Sequence, residues 1–98
     1  DSIRLHVLRV DRFGSLITNL TQEAFRKWLG RRKRKDIVLE VGDSIIHGIQ
    51  EYYSQVPPGQ PLALWGSSGR LEIAAREGNA AEMLGVGKGA PLLLRRVP

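Results

Sequence analysis

Glycine punctuation constrains this chain more than any other feature. Eleven glycines stand among ninety-eight residues, and most of the apolar runs between them are of strand length. Glycine accepts a positive φ at little steric cost, so it marks the tight turns that join short strands. "IRLHVLRVD" alternates apolar Ile3, Leu5, Val7 and Val10 with polar Arg4, His6 and Arg9, the period of a half-buried strand. It ends at "DRFGS", and "LITNL" follows as a second short strand. "TQEAFRKWLG" then changes period. Thr21 can cap a helix, Phe25, Trp28 and Leu29 fall on one helical face, and Gly30 stops it.

From Asp36 onward the chain returns to strands: "DIVLEV", a turn at Gly42 and Asp43, "SIIHGIQ", a loop around "VPPGQ", "PLALW", a serine turn and "RLEIAA". "GNAAEMLG" reads as a short helix between glycines and "APLLLRRV" as a closing strand. The expectation is a mainly β fold: a small β-barrel-like domain of six or seven short strands with two short helices. No repeat, low-complexity stretch or linker divides it, and its length suits one core, so residues 1–98 form one unit.

With 42% hydrophobic and 26% charged residues the composition is that of an ordinary soluble domain. No apolar run approaches the roughly 20 residues of a membrane-spanning helix. The absence of cysteine removes disulfides, thiolate metal sites and thiol nucleophiles, and fits a reducing, cytoplasmic home. The chain begins at Asp1, with neither a methionine nor a signal-peptide-like leader, which suggests a processed product or, as the favoured expectation, a piece of a longer protein. The net charge of +5 is local. Seven of the 15 Lys and Arg lie between Arg26 and Lys35, leaving eight basic against ten acidic residues, or −2, elsewhere. This run reads either as a solvated patch at a helix end or as a phosphate-binding segment of a small nucleic-acid-binding barrel. No aromatic residue is interleaved to stack on a base, which leaves nucleic acid the alternative.

Catalytic motifs are weak. Ser67 or Ser68 with His47 and Asp43 supplies the residue types of a triad, but the G-x-S-x-G elbow is missing. His6 and His47 lack metal-ligand spacing, and "GVGKGAP" lacks the phosphate-loop spacing and a following helix. The expectation is no catalytic residue, no metal and no cofactor in this chain. The turn "GSSG" is more informative. Backbone N–H groups and two hydroxyls there can cradle a carboxylate without a cationic side chain, although a simple hairpin bend would also use these residues. In "VDRFGSLITNL", Asp11 can receive an ammonium or cap a turn, and Phe13 can stack on a flat ring or fill the core. Together these groups suit a zwitterionic amino acid joined to a heterocycle.

"VDRFGSLITNL", "YYSQVPPGQPLALWGSSGRLEIAAREGNAAEMLG" and "APLLLRR" together resemble the C-terminal domain of the S-adenosylmethionine hydroxide adenosyltransferases, hydrolases related to the fluorinating and chlorinating enzymes. The resemblance implies a two-domain homotrimer with active sites between the N-terminal domain of one subunit and the C-terminal domain of a neighbour. It implies displacement by hydroxide at the 5′ carbon of S-adenosylmethionine, without metal or organic cofactor, releasing L-methionine and adenosine. Water activation then belongs to the N-terminal domain.

By the same resemblance Asp11 receives the methionine ammonium, while Ser67 and Ser68 bind its amino and carboxylate groups. Phe13 packs against adenine, the backbone from Ala75 to Glu77 meets the adenine edge, and Tyr53 or its neighbour Tyr52 lines the pocket. The chain departs from the pattern at Ser15, where the family usually has asparagine. It departs from the halogenases at Ser68, where they carry arginine, which favours hydrolysis.

Overall fold

The computed structural model describes residues 2–33 and 36–97. Its strands are β1 (Ser2–Val10), β2 (Leu16–Thr21), β3 (Ile37–Val41), β4 (Ser44–His47), β5 (Pro61–Trp65), β6 (Arg70–Ala75) and β7 (Pro91–Arg96). Two helices, α1 (Gln22–Leu29) and α2 (Ala80–Leu84), interrupt them. All seven strands join one antiparallel sheet in the order β4-β3-β7-β1-β2-β6-β5. The sheet curls until its edges almost meet. Beyond β4, Gln50 bridges to Leu64 on β5 and its N–H donates to Ala63 O at 2.7 Å. The result is a nearly closed barrel, the expected class.

The inward faces of the strands form the core, with Leu5, Val7, Leu16, Leu39, Leu71, Ile73, Leu92 and Leu94 all buried. Buried Thr18 sits among them because its hydroxyl donates to Leu71 O at 2.8 Å, which satisfies the polar group. Each end of the barrel is covered by a helix. At one end Thr21 Oγ1 accepts from Ala24 N–H, as the sequence predicts, and α1 lowers Phe25 into the core at 1% exposure. Burying that ring stabilises the fold by roughly 2–3 kcal/mol. Phe25 packs 5.3 Å from the Trp65 ring and 6.1 Å from Trp28, while the Arg96 guanidinium lies 4.5 Å over Trp28. At the other end Asn79 Oδ1 accepts from Glu82 N–H to start α2, which buries Ala80.

Two local departures from the expected pattern have physical causes. The β1–β2 register shifts between Val7 and Arg9, a bulge that resets the alternation. Val10 then pairs with core Leu16 but stays exposed at the barrel rim. "SIIHGIQ" is a strand only as far as His47, because Gly48 turns with φ +72°. "GVGKGAP" is the expected turn: Gly89 N–H donates to Val7 O, and Val7 N–H to Ala90 O.

Candidate functional site

The loop after β1 is organised around one carboxylate. Asp11 Oδ1 accepts from the N–H groups of Phe13 and Ser15, both at 2.9 Å, while Asp11 N–H donates to Ser15 O at 3.0 Å. Asp11 Oδ2 has no hydrogen bond among the described residues. Gly14 is required here. Its φ is +84°, and any Cβ would collide with the Asn79 side chain, while its carbonyl accepts from Ala81 N–H. The loop is thereby clamped to the start of α2. Ser15 is 8% exposed, whereas Phe13 is 67% exposed with the Arg12 guanidinium 4.9 Å from its ring centroid. Phe13 therefore stands on the surface and takes no part in the core.

The serine turn joins β5 to β6 from the other end of the barrel. Gly66 N–H donates to Arg70 O and Gly69 N–H to Gly66 O, each at 3.0 Å, with Gly69 at φ +79°. Those two glycines account for the turn. The backbone N–H groups and hydroxyls of exposed Ser67 and Ser68 make no hydrogen bond among the described residues. A turn selected only for bending needs neither hydroxyl.

Glu72 connects these two regions across the outer face of the sheet. It lies in a cross-strand row with Leu64, Ile17 and Arg9. Its carboxyl leans onto Gly66, where any Cβ would collide with it. Burial raises its pKa above the ordinary 4.5, the Asp11 charge raises it further and Arg9 opposes both. Sequence reasoning passed over Glu72 because an outward glutamate on an alternating strand is ordinary. Its distinguishing signal is the glycine two places beyond its cross-strand partner.

At its far end β6 leads into Ala75, Arg76 and Glu77. Ala75 is nearly buried, and both backbone groups of Arg76 are used, its N–H by Gln60 O and its carbonyl by Gly59 N–H. Glu77 has φ +56°, the one non-glycine positive φ among the described residues, and non-glycine residues in that region concentrate at functional turns. Arg76 also holds the preceding loop, donating from Nη1 to Val56 O at 2.8 Å. Val56 packs on Leu62, Leu64 and Ala74 of the outer face. Gln55 Oε1, accepting from Tyr52 N–H at 2.9 Å, braces the 3₁₀ turn Tyr53–Gln55. Both tyrosine rings are exposed, and the structure does not separate Tyr53 from Tyr52 as pocket-lining groups. Arg76 and Gln55 carry no motif and are recognisable only in three dimensions.

The rival constellations do not assemble. Asp43 lies in the β3–β4 turn and His47 on β4, near the Pro61 end of β5, whereas Ser67 and Ser68 follow Trp65 at its other end. His6 is exposed on β1, and among the described residues no three His, Asp or Glu are grouped as metal ligands. Of the basic run, Arg26, Lys27, Arg31, Arg32 and Lys33 are exposed at the C-terminal end of α1 and just beyond. Positive charge there complements the helix dipole. Arg34 and Lys35 lie outside the described residues. Clefts of about 360 Å³ beside Arg4, Glu40 and Leu93, and about 280 Å³ along the β4–β5 seam, do not include Asp11 or the serines. The Asp11–Glu72–serine surface is an open face.

Residues 5–93 match the family model described as SAM hydroxide adenosyltransferase C-terminal domain, SAM being S-adenosylmethionine. The chain belongs to this family. It is 35% identical over 88 residues to an (R)-S-adenosyl-L-methionine hydrolase of Thermus thermophilus, covering 90% of this chain and 30% of that protein. A conserved protein of Thermotoga maritima has the same fold with a TM-score of 0.80 and 28% identity, over 97% of this chain and 36% of the other. A second structure, a conserved hypothetical protein of Thermus thermophilus, gives 0.71 and 33%, over 94% and 34%. The chain thus spans about a third of the length of these relatives. Of the three stretches that carry the sequence resemblance, 10–20 and 52–85 fall inside the matched region and 90–96 begins within it. Membership of the adenosyltransferase family gives no support to the nucleic-acid reading of the basic run.

Proposed function

We propose that this chain is the substrate-binding C-terminal domain, residues 1–98, of a two-domain S-adenosylmethionine hydrolase. The serine turn receives the methionine carboxylate through the N–H groups and hydroxyls of Ser67 and Ser68. Asp11 receives the ammonium through Oδ2. Phe13, Tyr53, Ser15 and the Ala75–Glu77 backbone meet adenosine. One observation carries the reading: among the described residues, four donors at the serine turn lack partners and the Asp11 carboxylate, which acts on Glu72 beside that turn, keeps an oxygen free.

An open face orients a ligand but does not by itself exclude water. In this reading an N-terminal domain of a neighbouring subunit closes over it in a homotrimer, located in the cytoplasm, and supplies the groups that direct hydroxide. The domain's contribution to rate is orientation and desolvation of the bound sulfonium, with no cofactor required. The test is calorimetric titration of the full-length protein with S-adenosylmethionine and adenosine, alongside an assay for adenosine release. Turnover that is lost on replacing Asp11 or both serines supports the reading. A folded protein that neither binds these ligands nor releases adenosine overturns it.

A further inference from the structure

We propose that Glu72 is a specificity-determining residue of this site, a second carboxylate that shares with Asp11 the reception of the ligand's ammonium group. The inference rests on the proposed function and adds a residue to it. Its geometric basis is the position of the Glu72 carboxyl, which fills the space over Gly66 at the root of the serine turn. Glycine at position 66 leaves that space free for the carboxyl, which is held against the turn from the middle of β6.

Glu72 also lacks an internal counterpart. Among the described residues its carboxylate makes no hydrogen bond or ion pair. The charged groups that face it are Asp11, from the loop after β1, and Arg9, at the end of β1. The flanking strands β2 and β5 carry no ionisable side chain. Arg70, on the same strand, donates instead to Asn19 O. Two partly buried carboxylates that repel one another make a poor resting arrangement. A cation placed between them relieves the repulsion, and one with several N–H donors also satisfies their oxygens. A primary ammonium has both properties, whereas adenosine has no such group. Glu72 therefore selects ligands that retain the amino acid.

The pH dependence has a defined sign. Ligand cation favours ionised Glu72, so a carboxyl that holds its proton above 4.5 in the free protein releases it on binding. Affinity for L-methionine then rises with pH from 4.5 upward, while affinity for adenosine stays flat.

The experiment is calorimetric titration of the full-length protein and its Glu72→Gln variant with L-methionine and, separately, adenosine, from about pH 4.5 to about pH 7. Glutamine preserves the shape over Gly66 and removes the charge. The expected result is an approximately tenfold loss of methionine affinity near neutral pH, with adenosine affinity unchanged within about twofold. The pH rise seen with methionine in the parent disappears in the variant. Equal losses for both ligands assign Glu72 a purely structural role and overturn the inference. Unchanged methionine binding in the variant, or a pH-independent parent, also overturns it while leaving the hydrolase reading intact. A parent that binds neither ligand overturns both. The parent's pH profile remains decisive even if the variant does not fold.

Discussion

The Asp11 loop and the serine turn bear on the same outer face but are built on opposite principles. The loop uses its polar groups on itself: one carboxylate oxygen holds two backbone N–H groups, and Gly14 is wedged against Asn79. The turn uses its glycine backbones, and among the described residues both serines are left without internal partners. One half is preorganised by internal bonds and the other is held open by their absence. A binding face needs both, because rigid placement lowers the entropy cost of binding while free donors supply the attraction.

Changes in backbone conformation test this contrast most severely. Gly14→Ala combines a positive φ with a collision against Asn79 and is expected to cost 2 kcal/mol or more, roughly, read as a lower denaturation midpoint. Gly69→Ala has the same sign of φ but nothing within 4 Å of its Cβ, so about 1–2 kcal/mol is expected. Equal losses would remove the distinction between a clamped loop and an open turn.

Side-chain changes come next. Asp11→Ala strands two N–H groups and is expected to destabilise the fold by about 1–2 kcal/mol. Asp11→Asn keeps an acceptor for them, so it should fold close to the parent yet bind L-methionine poorly. Replacing Ser67 and Ser68 together with alanine should shift stability by no more than about 0.5 kcal/mol, because neither side chain has a partner among the described residues. Methionine affinity should fall at least about tenfold in the same variant. A large stability loss there would show that the hydroxyls serve the hairpin.

The smallest effect concerns Glu72. Its pKa is raised, so just above 4.5 the folded protein keeps a proton that the unfolded chain has released. Stability contributed by this group therefore declines as pH rises through that window. Urea denaturation across pH should show a flatter profile for Glu72→Gln, with the variant no less stable than the parent at neutral pH.

The elements were legible in the sequence where a local rule decides them. Thr21 and Gly30 bound α1, the alternation of "IRLHV" gives β1, and "GSSG" lies between two strands. Those signals act within a few residues. Strand order did not follow from them, because placing β7 between β1 and β3 depends on which apolar faces meet after collapse. At the candidate site, Asp11, Phe13 and the serines were singled out by residue type and by family resemblance. Glu72 was not, because its relation to Gly66 is a diagonal contact across two strands. Arg76 was missed for a similar reason, since its guanidinium reaches a carbonyl twenty residues earlier in the chain.

The place of β7 in the sheet has a consequence for how the domain assembles. The last strand pairs with β1 on one side and β3 on the other, so it acts as the keystone between a two-stranded and a four-stranded half. Until β7 is available, the one β-bridge that joins those halves among the described residues is that at Gln50. Ribosomal synthesis delivers the keystone after every other strand, and residues from opposite ends of the domain must then find each other. Such topology places folding in the slower, millisecond-to-second class of small domains. A chain stopped before Pro91 exposes β1 and β3 as two unprotected edges, a template for aggregation.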